Sequence, residues 1–252
     1  MIEIHKENIS DIPLLHVVET GKYNEMLPLV FFVHGFTSAK EHNLHFAYLL
    51  AERGFRVILP ETKLHGERNT GIPFEKVSYK FWDIVIQTIG ELATIKEEYA
   101  TRRMVDEERI GLVGTSMGGI ITLGALTQYK WIKAAVSLMG SPNYEQLSRS
   151  QIAQLKEANI NIPFSDEQLE EKFSMLKPFD LSKQAELIDG RPILFWHGMK
   201  DPVVPFKPTY EFYERIKKGN ADTFKFIVDE KAGHKVSREA LLETVAWFVE
   251  HL

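Results

Sequence analysis

A serine at 116, an aspartate at 201 and a histidine at 234 follow one another in an order that suits nucleophilic catalysis. Ser116 lies in Gly114-Thr115-Ser116-Met117-Gly118-Gly119, a G-x-S-x-G pattern. The apolar run Ile110 to Val113 leads into it and the helix-prone stretch Ile120 to Tyr129 follows. A strand–turn–helix setting puts a serine hydroxyl at the tip of a sharp turn, and the turn closes only if its neighbours are small. The helix start behind it favours negative charge developing on the hydroxyl oxygen. A glycine-rich turn with an incidental serine is the plain alternative. The flanking elements and the downstream partners argue against it.

A serine hydroxyl becomes a useful nucleophile when a base takes its proton, and an imidazole titrating near neutrality suits that task. Sites built on such a turn place the acid and then the histidine after the serine. Besides His251 at the C-terminus, only His197 and His234 follow Ser116. His234 lies in the small-residue loop Lys231-Ala232-Gly233-His234-Lys235 after the last strand run, where α/β sheets place their chemistry. His197 ends an apolar run (LFWHG) and reads as structural, bonding backbone in the following turn. Asp201 follows in the loop His197 to Pro205, which Gly198, Pro202 and Pro205 make rigid. A carboxylate there can accept the second N–H of the imidazole and hold the useful tautomer. Asp180, Asp189 and Asp229 are its rivals: two fall in or near the 141–190 segment, and Asp229 fits a turn.

Attack on a carbonyl creates an oxyanion that needs donors already in place. The backbone N–H of Met117 is one expected donor, and that of Phe36, in His34-Gly35-Phe36-Thr37-Ser38, is the other. The loop Glu61 to Gly71 faces the same end, so His65 joins Phe36 and Met117 as a candidate substrate contact. A Glu67–Arg68 pair bracing that loop is its bland reading. His34 reads as structural. His42 and His45 stand at i, i+3 on an expected helix with no third ligand nearby, so a solvated face is expected and no metal site.

Parallel strands must carry these groups. Buried runs at Leu27–His34, Gly54–Pro60, Arg109–Thr115, Ile132–Met139, Pro192–His197 and Thr223–Val228 alternate with helix-periodic stretches. One such stretch runs from about Val77 to Arg103, and another lies near the C-terminus around Leu241 to Val249. The pattern predicts an α/β fold with a doubly wound, mostly parallel sheet. Two N-terminal pieces, IEIHKENI and PLLHVVET, read as antiparallel edge strands. Residues 141–190 break the rhythm. This polar, helix-prone segment also carries Phe164, Phe173, Met175, Leu176 and Phe179, and it reads as a small helical cap inserted in a single domain spanning 1–252.

The bulk numbers narrow the classes. The chain has 252 residues, 44% hydrophobic and 26% charged, enough for one sizeable core. A net charge of −5 offers no basic field for nucleic acid or anionic membranes. With no cysteine, disulfides, thiolate metal sites and a Cys nucleophile are excluded. The N-terminus shows no basic region followed by an apolar one, and no apolar run approaches the ~20 residues of a membrane span. A cytoplasmic protein is the expectation.

The segments HGFTSAK, LHGER, GTSMGG, HGMKDPVVP and GHK resemble, in order and spacing, small bacterial α/β-hydrolases. The resemblance runs from about Leu27 to His251. It points to the branch with dienelactone hydrolase-like proteins, cinnamoyl and other carboxylesterases, and the catalytic domain of prolyl oligopeptidases. It implies the α/β-hydrolase fold with about eight strands and a serine esterase that needs no cofactor. A dienelactone hydrolase proper would use Cys, which this chain lacks, and no β-propeller of the kind that accompanies prolyl oligopeptidases is expected, which counts against a peptidase role. The expected activity is hydrolysis of a small carboxylic ester through an acyl–Ser116 intermediate, with a small-molecule ester as partner. Acyl transfer and thioester hydrolysis would use the same residues. A peptidase or a catalytically silent binding module are the remaining alternatives.

Overall fold

A computed structural model of the chain describes residues 1–218 and 223–252, side chains at 74 and 75 excepted. In chain order the elements are β1 (Ile2–Ile9), β2 (Ile12–Glu19), β3 (Leu27–Val33), α1 (Leu44–Ala51), β4 (Arg56–Pro60), α2 (Phe74–Ser78), α3 (Phe81–Thr101) and β5 (Val105–Thr115). They continue with α4 (Met117–Gln128), β6 (Ala134–Leu138), α5 (Tyr144–Glu157), α6 (Asp166–Leu176), β7 (Ile193–Gly198), α7 (Phe206–Ile216), β8 (Phe224–Asp229) and α8 (Arg238–His251). The strands form an eight-stranded sheet ordered β1-β2-β4-β3-β5-β6-β7-β8. β2 pairs antiparallel with β1 and β4, as the N-terminal pieces suggest, and the other pairs are parallel.

Alternation along β3 shows why its run is apolar throughout. Leu29, Phe31 and Val33 join the core cluster that α3 and α4 cover, while Val30 and Phe32 join the cluster that α1 and α8 cover. Successive side chains point to opposite faces, and helices lie on both, so every position must be apolar. β1 at the edge alternates exposed and partly buried positions instead.

The helix expected over Val77–Arg103 is divided in two. α2 ends at Ser78 and α3 starts at Phe81, and the break places both Tyr79 and Phe81 on the wall of one cavity. Residues 141–190 hold α5, α6 and three short 3-10 turns. Ser165 and Gln168 form a reciprocal capping box that starts α6 just after Pro163. The Tyr144 hydroxyl donates to the Ile120 carbonyl (2.7 Å), which seats α5 on α4.

Two features fix the C-terminal end of the sheet. The first is backbone contact: a Cβ added to Gly118 would stand 2.0 Å from the Val33 carbonyl oxygen, and one added to Gly114 would stand 2.2 Å from the Gly118 carbonyl carbon. The second is a buried charge cluster. Lys40 Nζ donates to Glu61 (2.8 Å) and Glu67 (2.7 Å), and the Lys40 backbone N–H donates to Glu61 (3.2 Å). His34 Nε2 lies 3.1 Å from Glu61. Burial pushes the Glu61 carboxyl up, but hydrogen bonds from His34 and Lys40 outweigh it and bring it down to about 2. Glu67 is thus held by Lys40, and Arg68 by Glu91 in a two-pronged pair (2.8 Å each), so the expected Glu67–Arg68 pair does not form.

Gly118→Ala should destabilise the fold by about 1–3 kcal/mol or more, because backbone cannot retreat as a side chain would. A urea-unfolding midpoint equal to wild type would contradict this. Glu61 gives a second test. Its folded value lies below the ordinary 4.5, so its contribution is complete above pH 4.5 and drains away as pH falls towards 2. That contribution is about 1–3 kcal/mol after allowance for screening. Wild-type stability should therefore fall more steeply than that of Glu61→Gln between pH 5 and 3, measured by urea unfolding. Equal slopes would contradict it.

Candidate active site

Ser116 sits between β5 and α4 with φ 54° and ψ −113°, a conformation that costs a non-glycine residue about 1–3 kcal/mol. Its surroundings hold it there. The Ser116 N–H donates to the Leu138 carbonyl (2.8 Å), and its own carbonyl accepts from Ile120 N–H (2.9 Å). The side chain is thereby turned out of the strand and the helix alike.

His234 and Asp201 meet it from two further loops. The Ser116 hydroxyl donates to His234 Nε2 (2.8 Å), and His234 Nδ1–H donates to Asp201 Oδ2 (2.7 Å). An ionised carboxylate can only accept, so Nδ1 carries the proton and Nε2 is left as an acceptor. Asp201 Oδ1 accepts from the backbone N–H groups of Val203 (2.8 Å) and Val204 (3.0 Å). Burial pushes the Asp201 carboxyl up, but His197, His234 and these two N–H groups hold it well below the usual carboxylate range. The two loops are also joined to each other, Lys200 N–H donating to Ala232 O (3.1 Å) and Met199 N–H to Asp229 O (2.9 Å).

The expected donors lie beside Ser116. Met117 is the first residue of α4, where the N–H has no partner within the helix. Gly35 abuts the nucleophile, since a Cβ on it would stand 3.5 Å from Ser116 Cβ. Phe36 follows it and lines the same cavity as Ser116. His65 is placed differently. It is buried behind Phe36 (rings 5.2 Å apart), bonded to the Lys63 carbonyl (2.9 Å), and its side chain does not line the cavity.

The remaining candidates have other partners. His197 Nε2–H donates to the Val204 carbonyl (2.9 Å), as its position at a strand end suggests, and also lies 3.4 Å from Asp201. Asp180 accepts from the N–H of Glu145 in the first turn of α5 (2.9 Å). Asp229 accepts from Lys231 and Ala232 N–H, making the turn before His234 (3.1 and 2.9 Å). Asp189 is exposed at a surface turn near Lys130 (3.8 Å). His42 and His45 are exposed on or beside α1, and among the described residues no acidic and histidine cluster could hold a metal ion.

A cavity of about 440 Å³ opens at Ser116 and Phe36 and runs beneath α5 and α6. Phe164, Phe173, Met175 and Leu176, singled out by their apolarity in 141–190, line it, and the rest of its wall comes from elsewhere in that segment and from four further stretches of chain. The only available signal was the set of apolar residues inside a polar 141–190 segment. Among the described residues no helix is long and apolar enough to cross a membrane.

The chain is similar to known proteins in sequence and in fold. The pattern described as the prolyl oligopeptidase family matches residues 41–252. The chain is 50% identical over its full length, and the other protein's, to "Putative esterase YitV" of Bacillus subtilis (strain 168). It is 31% identical, again end to end, to "Esterase YjfP" of Escherichia coli (strain K12). The crystal structure of TT1662 from Thermus thermophilus superposes with a TM-score of 0.76 at 20% identity, covering 100% of this chain and 98% of that one. The chain belongs to the prolyl oligopeptidase family, as a hydrolase with the α/β-hydrolase fold.

Proposed function

We propose that this protein is a carboxylesterase-type serine hydrolase that cleaves carboxylic esters through an acyl–Ser116 intermediate. The observation that carries the reading is the continuous hydrogen-bonded chain from Ser116 Oγ through His234 to the buried Asp201. Two relatives matched end to end are described as esterases, which supports the same reading.

His234 Nε2 takes the Ser116 proton as Oγ forms a bond to the ester carbonyl carbon. The carbonyl π pair moves to oxygen, where the N–H groups of Met117 and Phe36 stabilise it. The tetrahedral adduct collapses, the bond to the alcohol oxygen breaks, and the imidazolium gives that oxygen its proton. Water then repeats the sequence on the acyl–serine, with His234 as base and Ser116 Oγ as leaving group. Asp201 stays ionised throughout, keeping Nδ1–H aimed away from the serine and stabilising the imidazolium. Residues 141–190 act as a cap over the reacting carbonyl.

Wild-type protein should hydrolyse p-nitrophenyl esters and be labelled at Ser116 by a fluorophosphonate. Ser116→Ala should lose both. Lack of labelling in folded wild-type protein would sink the reading. Asp201→Asn should lower kcat by roughly 10⁴-fold with KM little changed, because the amide can donate and so favours the wrong tautomer. His234→Ala should lower kcat by at least as much, on the order of 10⁴-fold or more. Near-wild-type kcat in either variant would remove that residue from the mechanism.

A further inference from the structure

The cavity has a direction relative to the reacting atoms. It opens at Ser116 and Phe36, yet among the described residues its wall does not include His234, whose side chain is 22% exposed. The leaving alcohol must sit within reach of His234 Nε2 to receive its proton. The alcohol therefore lies on the open side, and what remains on Ser116 points into the cavity.

The walls specify what can enter. From the Phe36 ring an aromatic path leads inward through Phe81 (5.4 Å) to Trp82 (5.2 Å). Ile152 and Leu155 of α5 and Phe173 of α6 face it. Lys172 and Asp83 are the charged side chains among the lining residues, and they bond each other (3.3 Å). Lys172 Nζ also sits over the Phe164 ring (5.0 Å). Among the described residues the cavity thus offers no unpaired charge to a substrate carboxylate or ammonium, and burying one without a partner is costly.

The structure is held in this shape by ties from the inserted segment to α3 and its approach. Trp82 Nε1–H donates to Gln151 (3.0 Å) and the Tyr79 hydroxyl to the Asn161 carbonyl (2.9 Å). Its volume, about 440 Å³, lies within the range of small-molecule sites. A water's share of liquid volume is about 30 Å³ and a methylene is similar, so about fifteen such units would fill it completely and roughly eight to twelve chain atoms fit with space to spare.

We propose that this cavity is an acyl-binding site for neutral acyl groups of medium length, and that α5 and α6 set the length it accepts. The proposal rests on Ser116 being the nucleophile of an esterase. It assigns the inserted segment to substrate choice and leaves the bond-breaking groups elsewhere.

The test is a series of p-nitrophenyl esters from acetate to hexadecanoate with the whole protein. Each buried methylene is worth about fourfold, so kcat/KM should rise at least about tenfold from acetate to hexanoate or octanoate. It should fall again beyond about twelve carbons. A p-nitrophenyl monoester of adipic acid, with its free carboxylate, should react at least about tenfold more slowly than the hexanoate. In Ile152→Trp the octanoate-to-acetate ratio should drop at least about tenfold, and Leu155→Trp serves if that variant does not fold. Fluorophosphonate labelling verifies the fold of either. A profile that is flat or highest at acetate overturns the proposal while leaving the esterase reading intact. So does a rise along a series of alkyl acetates with none along the acyl series, which would put the alcohol in the cavity. Failure of every ester together with no labelling of Ser116 removes the esterase reading itself, and this proposal with it.

Discussion

Where α4 meets the sheet, no side chain separates the two. Gly118 lies so near Val33 that a single methyl would overlap the carbonyl oxygen, and Gly114 lies as close to Gly118. The chain must leave β5, reverse within one residue and enter a helix pressed onto β3. That residue is Ser116, and its positive φ is the cost of the reversal. The site depends on this contact in three ways. It holds the hydroxyl out of both elements, it presents the first N–H groups of α4 at the same point, and it brings the Gly35 turn against the serine. A larger residue at either glycine would lengthen all three relations at once.

The electrostatics rest on Asp201, which pays for its burial with four donors. Taking a carboxylate out of water raises its pKa unless hydrogen bonds favour the charged form. Here two backbone N–H groups serve one oxygen while His234 and His197 approach the other. Because the Val203 and Val204 N–H groups belong to the carboxylate's own loop, the loop conformation and the charge stabilise each other. The hydrogen bond from Lys200 N–H to Ala232 O then couples this loop to the one carrying His234. The acid and the imidazole consequently keep their separation even though β7 and β8 present them from different loops. Glu61 repeats the principle on the other side of Ser116, where Lys40 and His34 hold a buried carboxylate beneath the turn that bears Phe36.

What could be read from the sequence divides along the same line between local and distant causes. The turn at Ser116 is written locally, because glycine is the residue that tolerates backbone at 2 Å from a would-be Cβ. The contact of His234 with it, and of Asp201 with His234, was legible through chain order and through loops at strand ends. The central strands were legible because both faces are covered. The break between α2 and α3 was not, since Tyr79 and Lys80 continue a helical pattern and only the cavity beneath them shows why the chain turns. Nor were the partners of Glu67 and Arg68, which are Lys40 and Glu91, each more than a score of residues away. His65 looked like a substrate contact by its loop, but its bond to Lys63 O and its stacking behind Phe36 put it one layer deeper. The cavity was hidden in part for the same reason: the apolar residues of 141–190 leave a pattern, but the Phe36, Phe81, Trp82 and Ser116 side of the wall comes from distant stretches.

The two sides of Ser116 then differ in solvent, and the difference matters for the second half of the reaction. The proposed acyl site is walled by Phe81, Trp82 and apolar residues of α5 and α6, while His234 keeps part of its ring in contact with water. Deacylation needs a water at His234 Nε2, in the place the alcohol has just left. A wet leaving side supplies that water without opening the cap, and a dry acyl side keeps the chain from drifting towards solvent while the ester bond waits. A longer acyl chain is bound more tightly in the transition state for acylation because it fills space that water cannot use well. It gains no comparable advantage in deacylation, since the chain is already seated before water attacks. Chain length should therefore act through the first step, and a cap that is fastened to α3 by Trp82 and to the approach to α3 by Tyr79 is suited to measuring it.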